Sequence, residues 1–355
     1  MKRNIFIFLL VVFSPCIIII QAQDSLYLVG TITGESNEKR INVVRAIGDV
    51  NNDGYDDFIV SYRNGNVPSD QGIIKLYLGT PNFDLIPDII FHYPGNEYLN
   101  DFSDGYGVGD VNNDGYDDFV LVGAFASPLP KGKVFLYYGG ETIDTIPVAE
   151  FYDPNFGSDN FGYPTIRLGD INKDGYDDFA VGSFDQMGPS NVYFFWGGDT
   201  ISWNRSITFT SDSVGDSFGA SFANVGDINN DGFDDIAIGA PGQYSFNNYG
   251  KVYFYFSGPD FDNLPDTVLV SNTPNDFLGK LITNANDING DGKIDFCMQQ
   301  GPYTFIYTNG FQDPFVINSG YSLDAGKDVN NDGYSDIIIG NPQGIKIYLG
   351  SVMTR

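Results

Sequence analysis

Six copies of one nine-residue pattern, Asp-x-Asn-x-Asp-Gly-x-x-Asp, begin at Asp49, Asp110, Asp170, Asp227, Asp287 and Asp328, and each runs directly into an apolar segment. The copies start 61, 60, 57, 60 and 41 residues apart, so the nine residues belong to a larger unit repeated along the chain. Units of that size bury their apolar faces against one another, which makes this a repeat protein before it is anything else.

The 43 Gly, 18 Pro, 30 Phe and 23 Tyr among 355 residues suit many short strands joined by tight turns, with little helix. Among 46 acidic residues, the Glu are Glu35, Glu38, Glu97, Glu141 and Glu150; all the rest are Asp, a skew that marks turns and cation loops rather than solvated helix faces. A formal net charge of −28 repels phosphate backbones and counts against nucleic acid as a partner.

Residues 1–22 read as a secretory signal peptide: Lys2 and Arg3 form the basic start, Ile5 to Ile20 the apolar stretch, and Ala22 a small residue for cleavage. A retained anchor and lipidation at Cys16 are the competing readings, and Phe13, Ser14 and Pro15 are a poor lipidation signal. Residues 23–355 then form one domain, secreted or at the cell surface, with the periplasm as the alternative, and without a transmembrane anchor once the signal is removed. Cys297 is the one thiol left in that domain, so no internal disulfide forms and bound ions would serve as the cross-links.

The fourth unit shows the plan most clearly. Ser217 to Asn224 leads into the loop at Asp227, Asp235 to Ala240 and Lys251 to Phe256 are apolar runs, and Thr267 to Val270 is a further β-prone run, as Ile207 to Thr210 is before it. Elsewhere Phe58 to Val60, Phe119 to Val122, Phe179 to Val181 and Ile337 to Ile339 follow the loops, and Ile73 to Leu78, Val134 to Tyr138, Val192 to Trp196, Tyr303 to Tyr307 and Ile345 to Leu349 come next. About four short strands per unit is the size of one propeller blade. The fold is therefore expected to be an all-β propeller of six blades, with seven as the alternative. The last unit ends after its third strand, and Leu26 to Val29 would close the ring beside Ile345 to Leu349.

Oxygen-bearing side chains at positions one, three, five and nine, a backbone carbonyl at seven and a Gly hinge at six suit calcium. The expected ligands are Asp49, Asn51, Asp53, Tyr55 and Asp57; Asp110, Asn112, Asp114, Tyr116 and Asp118; Asp170, Asn172, Asp174, Tyr176 and Asp178; Asp227, Asn229, Asp231, Phe233 and Asp235; Asp287, Asn289, Asp291, Lys293 and Asp295; and Asp328, Asn330, Asp332, Tyr334 and Asp336. Up to six calcium ions follow. An EF-hand needs Glu at position twelve, where this chain has Val60, Leu121, Val181, Ile238, Met298 and Ile339. Plain turns would account for Asn-Asp-Gly but not for Asp at positions one and nine. The fifth site is expected to be the weakest, since Lys293 stands at its rim and Ile294 replaces the Asp found at Asp56, Asp117, Asp177 and Asp234, and those four position-eight residues read as solvated strand starts rather than ligands.

On these motifs the chain resembles the FG-GAP repeat proteins, the calcium-loop propellers that include the integrin α-subunit head. Phe161-Gly162 and Phe218-Gly219 stand for the FG, and Gly239-Ala240-Pro241 is a full GAP, loosened elsewhere to Gly123-Ala124-Phe125, Gly182-Ser183-Phe184 and Gly340-Asn341-Pro342, with Ser61-Tyr62-Arg63 in the first unit. The resemblance implies cations on one face of the disc and a glycan or protein ligand held on the other. The links there would be Tyr62 to Gly72, Phe125 to Gly132, Phe184 to Ser190 and Gln243 to Gly250. No nucleophile is paired with a base, and His92, the only His, lies in the β-prone run Ile89 to Tyr93. The first functional reading is thus a calcium-binding adhesion scaffold; the alternative is a calcium-dependent carbohydrate-active enzyme such as a polysaccharide lyase.

Overall fold

The computed structural model describes residues 32, 39–64, 73–81, 83–94, 101–124, 132–154, 160–184, 190–211, 213–242, 249–308, 310, 312–318, 322–330, 332–341 and 344–351. The expected signal peptide, the strand Leu26 to Val29 and most of the four links read as the ligand face lie outside these residues. Among the described residues no helix is long and apolar enough to cross a membrane.

Each acidic loop turns one strand back on the next, and the apolar runs after it complete an antiparallel meander. Sheet one runs Lys39–Gly48, Asp57–Asn64, Ile73–Tyr77 and Ile89–His92. Sheet two is Asp101–Gly109, Asp118–Ala124, Gly132–Tyr137 and Ala149–Tyr152; sheet three is Asn160–Gly169, Asp178–Phe184, Asn191–Phe195 and Ser206–Thr210. Sheet four is Ser221–Gly226, Asp235–Ala240, Lys251–Tyr255 and Thr267–Val270; sheet five is Ile282–Asn286, Asp295–Gln300, Tyr303–Tyr307 and Phe315–Asn318. Sheet six has three described strands, Ser322–Lys327, Asp336–Asn341 and Gly344–Tyr348. First strands lie against first strands in chain order from sheet one to sheet six, the succession of a β-propeller. The strands agree with the apolar runs read from the sequence to within a residue or two at most ends.

A bulge sits at the same place in all six sheets. The residue before each loop pairs with position nine, as in Gly48 with Asp57 and Gly109 with Asp118, and the residue ahead of it is skipped. Five of the skipped residues, Ile47, Val108, Leu168, Val225 and Ala285, are buried. Gly48, Gly109, Gly169 and Gly226 take φ of 95°, 82°, 75° and 73° after the bulge, where a Cβ would be strained, and Asn286 manages the same turn at 48°.

The core lies between sheets. Ile59, Phe91, Phe119 and Tyr137 join sheets one and two; Val120, Phe151, Phe179 and Phe195 join two and three. Phe194, Phe209, Ile236 and Tyr255 join three and four, Phe254 and Phe296 join four and five, and Cys297, Ile306, Ile337 and Ile339 join five and six. The other face of sheet one carries Phe58, Val60, Tyr62 and Tyr77, with Ile32 packed against them. Position ten of a loop stacks on the last aromatic of the third strand: Phe58 on Tyr77, Phe119 on Tyr137, Phe179 on Phe195 and Phe296 on Tyr307, at centroid distances of 5.0, 5.4, 5.0 and 4.7 Å. Each such pair adds about 0.5–1.5 kcal/mol beyond its buried area.

The GAP signature has a packing reason. Gly239 in the second strand of sheet four presses on the backbone of Gly279 at the entry to sheet five, and a Cβ at Gly239 would overlap the Gly279 carbonyl. The Gly219 N–H also donates to the Gly239 carbonyl at 2.9 Å. Gly239→Val is therefore expected to cost about 1–3 kcal/mol, read as a lower midpoint in chemical denaturation; an unchanged midpoint would show that the two sheets are not in contact there.

Candidate metal centres

Within the first loop the side chains of positions one, three and five first serve the loop's own backbone. The Asp53 N–H donates to Asp49 Oδ1 and Asn51 Oδ1 at 3.0 and 3.1 Å, the Gly54 N–H to Asp49 Oδ2 at 2.7 Å, and the Tyr55 N–H to Asp53 Oδ1 at 3.0 Å. Asn51 Nδ2 donates to Asp53 Oδ2 at 3.1 Å. The same five bonds recur at Asp110, Asn112 and Asp114, at Asp170, Asn172 and Asp174 and at Asp227, Asn229 and Asp231. They recur again at Asp287, Asn289 and Asp291 and at Asp328, Asn330 and Asp332. In this network the position-seven residues Tyr55, Tyr116, Tyr176, Phe233, Lys293 and Tyr334 act through their N–H groups. Position four is left-handed, with φ of 53°, 57°, 60° and 62° at Asn52, Asn113, Lys173 and Asn230 and 77° at Gly290, which explains why Asn and Gly predominate there.

Position nine works differently from the others. Asp57 is buried, and its Oδ2 accepts from the Val50 N–H at 2.9 Å while its Oδ1 accepts from the N–H of Gly79, just past the third strand, at 2.6 Å. Asp118 takes the N–H groups of Val111 and Gly139, Asp178 those of Ile171 and Gly197, Asp235 those of Ile228 and Ser257, and Asp336 those of Val329 and Gly350. Asp295 takes that of Ile288. One side chain thus fastens the loop to the second and third strands.

Burial pushes the carboxyls of Asp57, Asp235 and Asp295 up to about 7 and those of Asp118 and Asp178 up to about 8. The two backbone N–H donors oppose this, and the position-five and position-one carboxylates add to it, as Asp53 and Asp49 do to Asp57. Each loop therefore holds three mutually repelling acids around hard oxygen donors. Among the described residues no three acidic, His or Cys side chains are gathered tightly enough to form a finished metal site. The donors nevertheless fit a hard divalent ion: each carboxylate oxygen that accepts one N–H keeps a second lone pair, and the loop backbone is already turned by its own hydrogen bonds.

Adjacent loops are sewn together, which corrects the reading of position eight. Asp56 is exposed, as expected of a solvated strand start. Asp117 Oδ2 instead accepts the N–H of Asp49 in the preceding loop at 3.1 Å, and Asp177 Oδ2 accepts that of Asp110 at 3.0 Å. The return bonds run from the Asp117 N–H to the Asp49 carbonyl and from the Asp177 N–H to the Asp110 carbonyl, at 3.3 and 3.0 Å. Arg167 spans both carboxylates, 3.3 Å from Asp117 and 2.6 Å from Asp177. Asp234 Oδ2 accepts Asn224 Nδ2 at 3.1 Å. Asp117 and Asp177 thus reach across to a neighbouring sheet, a partner that spacing within one unit cannot reveal, and Asp234 reaches the first strand of its own sheet. Lys293 likewise leaves its own loop: Nζ donates to Asn230 Oδ1 of loop four at 2.6 Å. His92 is exposed at the end of a fourth strand.

Residues 218–255 and 319–352 match the FG-GAP repeat. The chain is 27% identical over 212 residues to integrin alpha-6 of Gallus gallus, a match covering 58% of this chain and 19% of that protein. To integrin alpha-6 of Homo sapiens it is 28% identical over 235 residues, covering 64% of this chain and 19% of that protein. The match thus spans about a fifth of the length of these curated relatives. Among solved structures, BBS1N in complex with ARL6DN superposes over 87% of this chain and 79% of its own with a TM-score of 0.53 at 9% identity, a likeness of fold alone. The inter-sheet contact of the GAP glycine, the repeated acidic loop and these matches together support an FG-GAP, integrin-α-like β-propeller, with FG-GAP repeats matched at residues 218–255 and 319–352.

Proposed function

We propose that each of the six loops holds one calcium ion, up to six in all, and that the protein is a secreted or cell-surface scaffold whose calcium-stiffened propeller binds a glycan or protein ligand. The observation that carries this is the sixfold identity of the donor set, with Asp at one, five and nine and Asn at three in every loop, in one hydrogen-bond arrangement. The likeness to integrin α subunits supports the adhesion-type reading. Asp49, Asn51, Asp53 and Asp57 and their counterparts would supply side-chain oxygens, with the position-seven carbonyls beside them. The ion would neutralise the repulsion among the three acids and add a tie between first and second strands.

Six blades, one per loop, are part of the same proposal, closed by the segment that contains Leu26 to Val29. Sheet six supports this: it has three described strands, and Ile345 and Ile347 in its last one, with Leu349 just past it, are 40%, 40% and 58% exposed. These side chains share one uncovered apolar face, beside a strand edge that has no described partner and is open to a fourth strand.

Calcium withdrawal is the direct test. A site held at a hundred times its dissociation constant stabilises by about 2.7 kcal/mol, so chelation of several sites should lower the melting temperature by about 10 °C or more, with recovery on adding calcium. A melting curve indifferent to chelator would remove the metal from this account.

The calcium-free protein should also show a characteristic pH dependence. The position-nine carboxyls of Asp57, Asp118, Asp178, Asp235 and Asp295 are pushed up to about 7 to 8, above the ordinary 3.8. The folded state therefore binds their protons more tightly than the unfolded state, and stability is lost as pH rises from about 4 through 8. Without calcium the melting temperature should fall between pH 5 and pH 8; with saturating calcium that fall should flatten, because the ion takes the place of the proton. A calcium-free melting temperature that rises over this interval would contradict the burial and repulsion assigned to these five groups.

For the ligand, retention on glycan and protein arrays should be lost in chelator and regained with calcium. Turnover of an acidic polysaccharide in a parallel activity screen would overturn the scaffold reading in favour of a lyase.

A further inference from the structure

The link between third and fourth strands is nearly the same in three sheets. Asp84, Asp144 and Asp262 accept the N–H of Ile86, Ile146 and Leu264 two residues on, at 2.9, 2.9 and 2.7 Å, and Pro87, Pro147 and Pro265 follow. Sheet three departs from this pattern. There Ser202, Trp203, Asn204 and Arg205 stand in place of Asp144, Thr145, Ile146 and Pro147, so an arginine occupies the proline position. Residues Trp203–Arg205 form a 3-10 turn, the one helical element among the described residues.

That turn is anchored. The Trp203 ring packs on Tyr193 and Phe195, each at 5.1 Å between centroids, and the Arg205 N–H donates to the Ser202 carbonyl at 3.0 Å while its carbonyl accepts the Trp196 N–H at 3.0 Å. Arg205 Nη2 bonds the Gly197 carbonyl and lies 3.6 Å from Asp174 Oδ2, the position-five carboxylate of loop three. Among the described residues this is the one ion pair made by an acid at position one, five or nine of any loop. The loop lysines carry their charge elsewhere: Lys173, at position four of the same loop, holds its Nζ 5.0 Å from the centre of the Phe233 ring in loop four, and Lys293 bonds Asn230 there.

From this geometry we infer that Arg205 is a built-in counter-ion for loop three, which competes with calcium there and makes the third loop the weakest of the six sites. The inference rests on the calcium reading above and deepens it: the six loops are graded, and loop three keeps part of its charge balance when calcium is withdrawn. The cation stands beside Asp174, so it repels an incoming divalent ion while it satisfies the acid that would receive it. Both side chains are part-exposed, so solvent and salt moderate the effect.

The test compares calcium titration calorimetry of the native protein, Arg205→Gln and Arg205→Lys, with unfolding in saturating calcium as the check that each is folded. Arg205→Gln should tighten the weakest binding step by about tenfold, the Coulomb effect expected of one charge lost near a divalent ion, and the gain should shrink as ionic strength rises. Arg205→Lys, which keeps the charge, should stay near the native isotherm. In an Asp170→Asn background, where loop three is disabled, Arg205→Gln should change nothing further. An Arg205→Gln isotherm that superimposes on the native one, or an equal gain in Arg205→Lys, overturns the inference while leaving the calcium reading intact. No calcium uptake by the native protein overturns both.

Discussion

One buried carboxylate per sheet holds the repeat together. Asp57, Asp118, Asp178, Asp235 and Asp336 accept one N–H from the start of the acidic loop and another from the end of the third strand, at the point where the second strand begins, and Asp295 accepts the first of these. Two charge-assisted bonds of this kind are stronger than ordinary backbone bonds, and they act on the turn where three strands meet. Removing a carboxylate from water is costly without such partners. In the first five sheets the same burial that makes the clip effective drives the proton affinity upward, so these sheets carry a strained charge at their most crowded corner until a proton or a cation relieves it.

From this corner the order spreads in two directions. Inward, position ten stacks on the last aromatic of the third strand, so the clip and the ring pair fix the same two strands one residue apart. Sideways, Asp117 and Asp177 cap the loop before their own, and Arg167 joins the two caps. The joint between loops four and five lacks this device, since Ile294 stands at position eight and has no carboxylate to offer the Asp227 N–H. A cavity of about 230 Å³ opens there, lined by Asp227, Asn230, Lys293 and Asp295 among others, and the Lys293 to Asn230 bond spans the gap. The ring of loops is therefore tied unevenly, most closely from loop one to loop three.

Much of this was legible in the sequence because the loop and the strand after it are local. The period, the strand runs, the Gly hinge and the rejection of an EF-hand all follow from residues within one unit, and Val60, Leu121, Val181, Ile238 and Ile339 do lie in second strands. What escaped depends on partners outside the unit. The roles of Asp117, Asp177 and Lys293 are set by the adjacent sheet, and the bulge that buries Ile47 or Val108 shows only in the pairing register. Gly48 and Gly109 were the available sign of that bulge, at the last residue before each loop. The double duty of position nine was hidden for another reason: a metal ligand and a backbone clip ask for the same residue.

The choice of Asp over Glu follows from these distances. A carboxylate one methylene from the backbone can accept the N–H two, four or five residues on, as Asp53, Asp49 and Asp84 do, and so can shape a turn of its own chain. A Glu adds a rotatable bond and overshoots these donors. Part of the excess negative charge of the chain is thus a by-product of turn chemistry repeated six times over, placed where each first strand enters its loop. A protein built this way has its acids already spent on its own amides, and what a divalent ion contributes is charge relief and a further tie at corners the backbone has shaped beforehand.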